Sequence, residues 1–76
     1  MPKLPVVSGK KFCKFVEMQG CKFDGVDGDH YVYRRSNLVR PVVVPMWREL
    51  PLFIVMNNLR TLGVSRTEFI RTFKKL

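Results

Sequence analysis

The first hydrophobic pattern runs from Val7 to Gln19, where Phe12, Phe15, Val16 and Gln19 recur at helical spacing and Lys10, Lys11 and Lys14 fall away from that stripe. Ser8 has the chemistry of an N-cap. Val7 and Phe12 are placed as the hydrophobic staple of the same helix, and Gly20 stands where a helix ends in a left-handed residue. A first helix is expected over 9–19. Cys21-Lys22-Phe23-Asp24 then alternates as a short strand, and Gly25-Val26-Asp27-Gly28 is rich in turn residues. Asp29 to Arg34 is a β-branched and aromatic run, read as a second strand. Arg35-Ser36-Asn37 reads as a turn and Leu38 to Val44 as a third strand, which Pro41 assigns to an edge.

In this third strand Leu38, Val42 and Val44 share one face, and Val39 and Val43 share the other. A sheet covered by one helical layer is polar on its open face. Apolar groups on both faces therefore predict a second cover, such as another protein. Beyond the strands, Pro51 to Leu62 carries a helical stripe of Val55, Leu59 and Leu62, interrupted by Asn57 and Asn58 and closed by Gly63. Ser65-Arg66-Thr67-Glu68 is a capping box with Val64 and Phe69 as its staple, and opens a short last helix. The expected architecture is α+β, a three-stranded antiparallel sheet packed on helices in the order α-β-β-β-α with a short extra C-terminal helix. No repeat or linker divides it, so 1–76 is expected to be one domain.

Composition narrows the function. Seventy-six residues leave no room for a deep-cavity Rossmann or barrel enzyme, and 46% apolar residues are too many for a disordered tail. Fourteen Lys plus Arg against six Asp plus Glu give a net charge of +8, which calls for a polyanionic partner. One His and two Cys exclude a zinc-finger ligand set and any mechanism that uses a His pair. A disulfide between Cys13 and Cys21 is geometrically conceivable; the expectation is two buried, reduced thiols in a cytoplasmic protein. Met1 to Pro5 lacks the apolar run of a signal peptide, and the longest apolar stretch, Leu50 to Met56, is far short of a membrane span.

The segment Gly28-Asp29-His30-Tyr31-Val32-Tyr33 holds the most chemistry. A lone His on a strand is more often structural than catalytic. Here it follows a turn glycine at a strand start, stands near Arg34 and Arg35, and is the one side chain whose ordinary pKa lies near neutrality.

Four segments together resemble a known family: Leu4-Pro5-Val6-Val7-Ser8-Gly9-Lys10-Lys11; Gly28-Asp29-His30-Tyr31-Val32-Tyr33-Arg34; Val42-Val43-Val44-Pro45; and Leu62-Gly63-Val64-Ser65-Arg66-Thr67-Glu68-Phe69. In order and spacing the chain is similar to the HicA (YcfA-like) toxins over nearly its whole length. The resemblance implies a double-stranded-RNA-binding-domain-like fold. It also implies an endoribonuclease toxin (an mRNA interferase) of a type II toxin–antitoxin system, neutralised by a HicB-type antitoxin. The family's catalytic His falls on His30. The chain departs from the family in four places: Asp29 stands where Ser is usual, Met46-Trp47 follows Pro45 where Val-His is frequent, bulky residues around Phe53 replace a helix-start glycine, and Asn58 takes an apolar helix position.

These readings assign His30 to proton transfer in a metal-independent cleavage of RNA without a cofactor, and Lys10, Lys11, Lys14, Arg34 and Arg35 to phosphate contacts. Tyr31, Tyr33, Met46 and Trp47 are assigned to a partner interface, where aromatic residues either stack on bases or dock the antitoxin. The chain is expected to be a monomer alone and a hetero-oligomer with its antitoxin. Two other classes stay open: a non-catalytic RNA-binding module, and a protein-interaction domain matched to an acidic partner.

Overall fold

The computed structural model describes residues 4–76. Met1, Pro2 and Lys3, the start of the stretch read as lacking a leader, lie outside the described residues. The elements are α1 (Gly9–Met18), β1 (Lys22–Asp27), β2 (His30–Arg34), β3 (Val42–Pro45), α2 (Leu52–Leu62) and α3 (Arg66–Phe73). The sheet is antiparallel in the order β1-β2-β3, so the fold is α+β as expected, with β3 at an edge.

Local signals set the helix ends. Ser8 Oγ accepts from the Lys11 amide at 3.2 Å, and Ser65 Oγ accepts from the Glu68 amide at 3.1 Å. At the other ends Gly20 and Gly63 take φ of 86° and 74°, the left-handed conformation that a Cβ disfavours. The inner face of α1 buries Phe12, Cys13, Phe15 and Val16. Phe15 meets Phe69 of α3 edge-on at 4.8 Å between centroids, and Phe12 and Phe73 extend this aromatic cluster. Edge-to-face contact of this kind adds about 0.5–1.5 kcal/mol beyond burial. Across the sheet Tyr33, Val42 and Val44 complete the core. Cys13 and Cys21 are both buried free thiols, so the conceivable disulfide is not formed.

Three expectations need correction. β1 continues through Gly25, Val26 and Asp27, which pair with Val32, Tyr31 and His30; a register shift between Phe23 and Gly25 absorbs the extra residue. The turn is therefore the two-residue Gly28-Asp29. Gly28, at φ 65°, takes the first central position, the place glycine holds in type II′ hairpins. Third, β3 begins only at Val42: Leu38 to Pro41 form a loop, because Pro41 cannot donate and Pro restricts the residue before it.

Val39, 99% exposed, thus leaves the sheet entirely, and Val43 and Pro45 with half-buried Val32 remain as the apolar content of the second face. α2 flanks the β3 edge, where the Asn58 amide donates to the Val43 carbonyl at 3.1 Å. That bond explains a polar residue in the helix stripe: Asn58 is buried because it has an acceptor.

Candidate active site

Alternation along β2 decides which side chains meet. Tyr31 and Tyr33 point to the core, so His30, Val32 and Arg34 point to the opposite face. His30 sits at the strand start beside Pro45, its partner on β3. The hairpin turn before it is clamped by the segment after β3 at two points. The Met46 amide donates to the Asp29 carbonyl at 2.8 Å, and the Trp47 indole N–H donates to Asp29 Oδ2 at 2.9 Å. The other carboxylate oxygen, Oδ1, lies 2.9 Å from His30 Nδ1, and the Trp47 and His30 rings meet edge to face at 6.3 Å.

Asp29 thus bridges an indole donor and an imidazole. The Trp47 hydrogen bond is the main reason its carboxyl is held below the ordinary value; its own amide and the neighbouring imidazole act the same way, against the cost of burial. A carboxylate on Nδ1 favours the tautomer with its proton on that nitrogen. Nε2 then has no hydrogen-bond partner among the described residues. His30 lines a depression of about 230 Å³ together with Val43, Pro45, Ile54, Asn57 and Asn58. The arrangement is that of an oriented imidazole beside a solvent-open recess, 43% exposed at its side chain and therefore accessible to a ligand.

The other residues singled out from the sequence are dispersed. Lys10, Lys11 and Lys14 are exposed on α1, in the layer that packs on the Tyr33 face, and Lys11 Nζ lies 5.7 Å over the Phe73 ring. None of them lines the His30 depression. Arg34 pairs with Asp24 at 2.7 Å, and Arg35 donates to Asn37 and to the Gln19 carbonyl, fastening its turn to the end of α1. Tyr33 is 3% exposed and donates to Glu17, so it belongs to the core rather than to a docking surface. Burial is the first cause that pushes its phenol well above the ordinary value. Tyr31 and Met46 are half-buried against the core, and Trp47 remains exposed.

The sequence reading missed Asp29 as the partner of His30, treating it only as a departure from the usual serine. The signal that pairs them, an indole donor at Trp47, stands eighteen residues away in the chain. Among the described residues no three His, Cys, Asp or Glu side chains converge as a metal-ligating group, and no helix is long and apolar enough to cross a membrane.

The fold and site define a small α+β domain, a three-stranded meander with a histidine at the hairpin exit and a serine-capped helix before it. The family model described as the HicA toxin of bacterial toxin-antitoxin matches residues 9–64, from the start of α1 to just beyond α2. The chain belongs to the HicA toxin family. No curated protein and no solved structure matches it.

Proposed function

We propose that this toxin is an endoribonuclease that cleaves mRNA through His30, that its fold is double-stranded-RNA-binding-domain-like, and that a HicB-type antitoxin neutralises it in the cytoplasm. The observation that carries the proposal is the Asp29–His30 contact of 2.9 Å beside an open recess. Asp29 fixes the ring by its Nδ1 side, and the bare Nε2 removes the proton of a ribose 2′-hydroxyl. The 2′-oxygen attacks the adjacent phosphorus and the bond to the 5′-oxygen breaks. The products are a 2′,3′-cyclic phosphate and a 5′-hydroxyl, the leaving oxygen taking its proton from water or from the imidazolium just formed. One positioned acid–base group supplies about 10²–10⁴-fold, enough for an enzyme whose substrate is abundant.

The net charge of +8 supports a polyanionic substrate. The alternative, a non-catalytic RNA-binding module, shares the charge and fold but has no use for an oriented imidazole. Purified protein incubated with RNA, with and without EDTA, separates the two. Cleavage that resists EDTA and disappears in His30→Ala, with the thermal transition unchanged, is the expected result. A His30→Ala protein that cleaves at the wild-type rate overturns the assignment.

A further inference from the structure

The recess at His30 adjoins a second, larger depression, and together they form an interrupted groove. The second depression, of about 610 Å³, is lined by Val43, Asn57 and Asn58, which also line the first, and ends at Arg40 and Arg60. The two adjoin along β3 and α2, meeting at Val43, Asn57 and Asn58, with His30 lining one and the Arg40 and Arg60 guanidinium groups lining the other. No Asp or Glu lines either part.

These two arginines differ from those flagged by the sequence. Arg34 and Arg35 are engaged with Asp24, Asn37 and a backbone carbonyl. Arg40 and Arg60 are exposed and have no side-chain hydrogen bond or ion pair among the described residues. An unengaged guanidinium offers its planar fork to a phosphate without first breaking an internal bond. Asn57 and Asn58 divide the work along the groove. Asn58 is held by the Val43 carbonyl, whereas the exposed Asn57 carries an amide with both donor and acceptor ends open to a ligand.

From Ile54 to Thr61 the groove follows eight residues of α2, seven helical rises from end to end. That is about 10 Å at 1.5 Å per rise, room for a short stretch of strand and not for a long one. A cleft between a helix and a strand edge admits a single strand with its bases splayed, the form in which RNA sequence is read.

We propose that this groove is the track for a single-stranded RNA segment flanking the scissile phosphate, with Arg40 and Arg60 contacting phosphates and Asn57 meeting a base edge. The proposal rests on the reading of His30 as the cleaving residue, and binding measured without cleavage tests it separately. The probe is a short fluorescent single-stranded RNA, with a duplex of the same sequence alongside, titrated by anisotropy against His30→Ala protein over a range of salt.

Adding Arg40→Gln and Arg60→Gln together is expected to weaken single-strand binding about tenfold or more. The log K against log salt slope should fall by about 1.4, since each lost single-strand phosphate contact removes ~0.7. Asn57→Ala in otherwise wild-type protein is expected to change which sites are cut while the melting temperature holds. Unchanged affinity and slope in the double variant overturn the track, as does tighter binding of the duplex, or no binding of RNA at all. Groove-dependent binding by a protein that never cleaves upholds the track and overturns the catalytic reading. Cleavage that ignores both arginines does the reverse.

Discussion

Replacing Gly9 with alanine is the sharpest test of how the site is held in place. An ideal Cβ at Gly9 would lie 2.1 Å from the Pro45 carbonyl oxygen and 3.0 Å from Met46 Cα, both backbone atoms that cannot rotate aside. The first contact is more than an ångström short of ordinary separation. The two segments are tied on both sides of the clash, by the Gly9 amide on the Trp47 carbonyl at 2.8 Å and the Leu50 amide on the Val7 carbonyl at 2.7 Å. Relief therefore means prising the start of α1 from the end of β3.

Overpacking of this kind costs about 1–3 kcal/mol, and the loss of the Gly9–Trp47 hydrogen bond adds about 1 kcal/mol. Alanine's better helix propensity returns about 0.5–1 kcal/mol. The net expectation is about 1–3 kcal/mol of destabilisation, or roughly 5–20 °C in Tm for a chain of this size. Because the bond released is to Trp47, its emission should change in the folded protein as well. Urea and thermal unfolding followed at Trp47 measure both effects. A Gly9→Ala protein as stable as the wild type, or more so, would refute the close approach and leave only helix propensity.

Asp29 and the thiols give two further expectations. The Asp29 carboxyl is held below its ordinary value in the folded state. Its stabilising contribution is therefore complete above the unfolded value of about 3.9 and is lost only as pH falls through the lower folded one. Trp47 is the single tryptophan, so its emission should show a step below that pH which Asp29→Asn abolishes. A step at or above the ordinary carboxyl value, or one that persists in Asp29→Asn, would refute the clamp. Burial raises the Cys13 and Cys21 thiols above their ordinary values. Both should react with a thiol-specific disulfide reagent only as fast as the protein opens, and rapid labelling of the native protein would contradict their placement.

The parts of the fold that could be read from the chain are those whose causes are local. Ser8 with Lys11 and Ser65 with Glu68 are separated by a single helical turn, and the structure forms both caps. The β1–β2 hairpin was harder, because its register depends on a shift at Phe23/Gly25 that no local pattern marks. The side-chain period of two then governs everything downstream. Once Tyr33 is fixed in the core by Glu17 and the Phe23 ring, His30 must face the other way. His30 itself was legible as the sole imidazole and by family resemblance. Asp29 as its partner was not, since that role exists only when Trp47 is brought back over the turn. Arg40 and Arg60 stand in a loop and a helix end twenty residues apart, and only the packing of α2 on β3 sets them in one groove.

A three-stranded sheet has two free edges, and each is a template on which another chain can add a strand. In this protein the Asn58 amide donates to the Val43 carbonyl of β3, and α2 lies against that strand. On the opposite side, β1 carries the Phe23/Gly25 irregularity with Lys22, Asp24 and Asp27 spaced along it, features that spoil a flat, apolar edge. Strand exchange between copies is therefore discouraged at both margins. A partner that meets such margins finds its footing on side chains of the faces and grooves, or adds to the β3 edge only by lifting α2 from its seat.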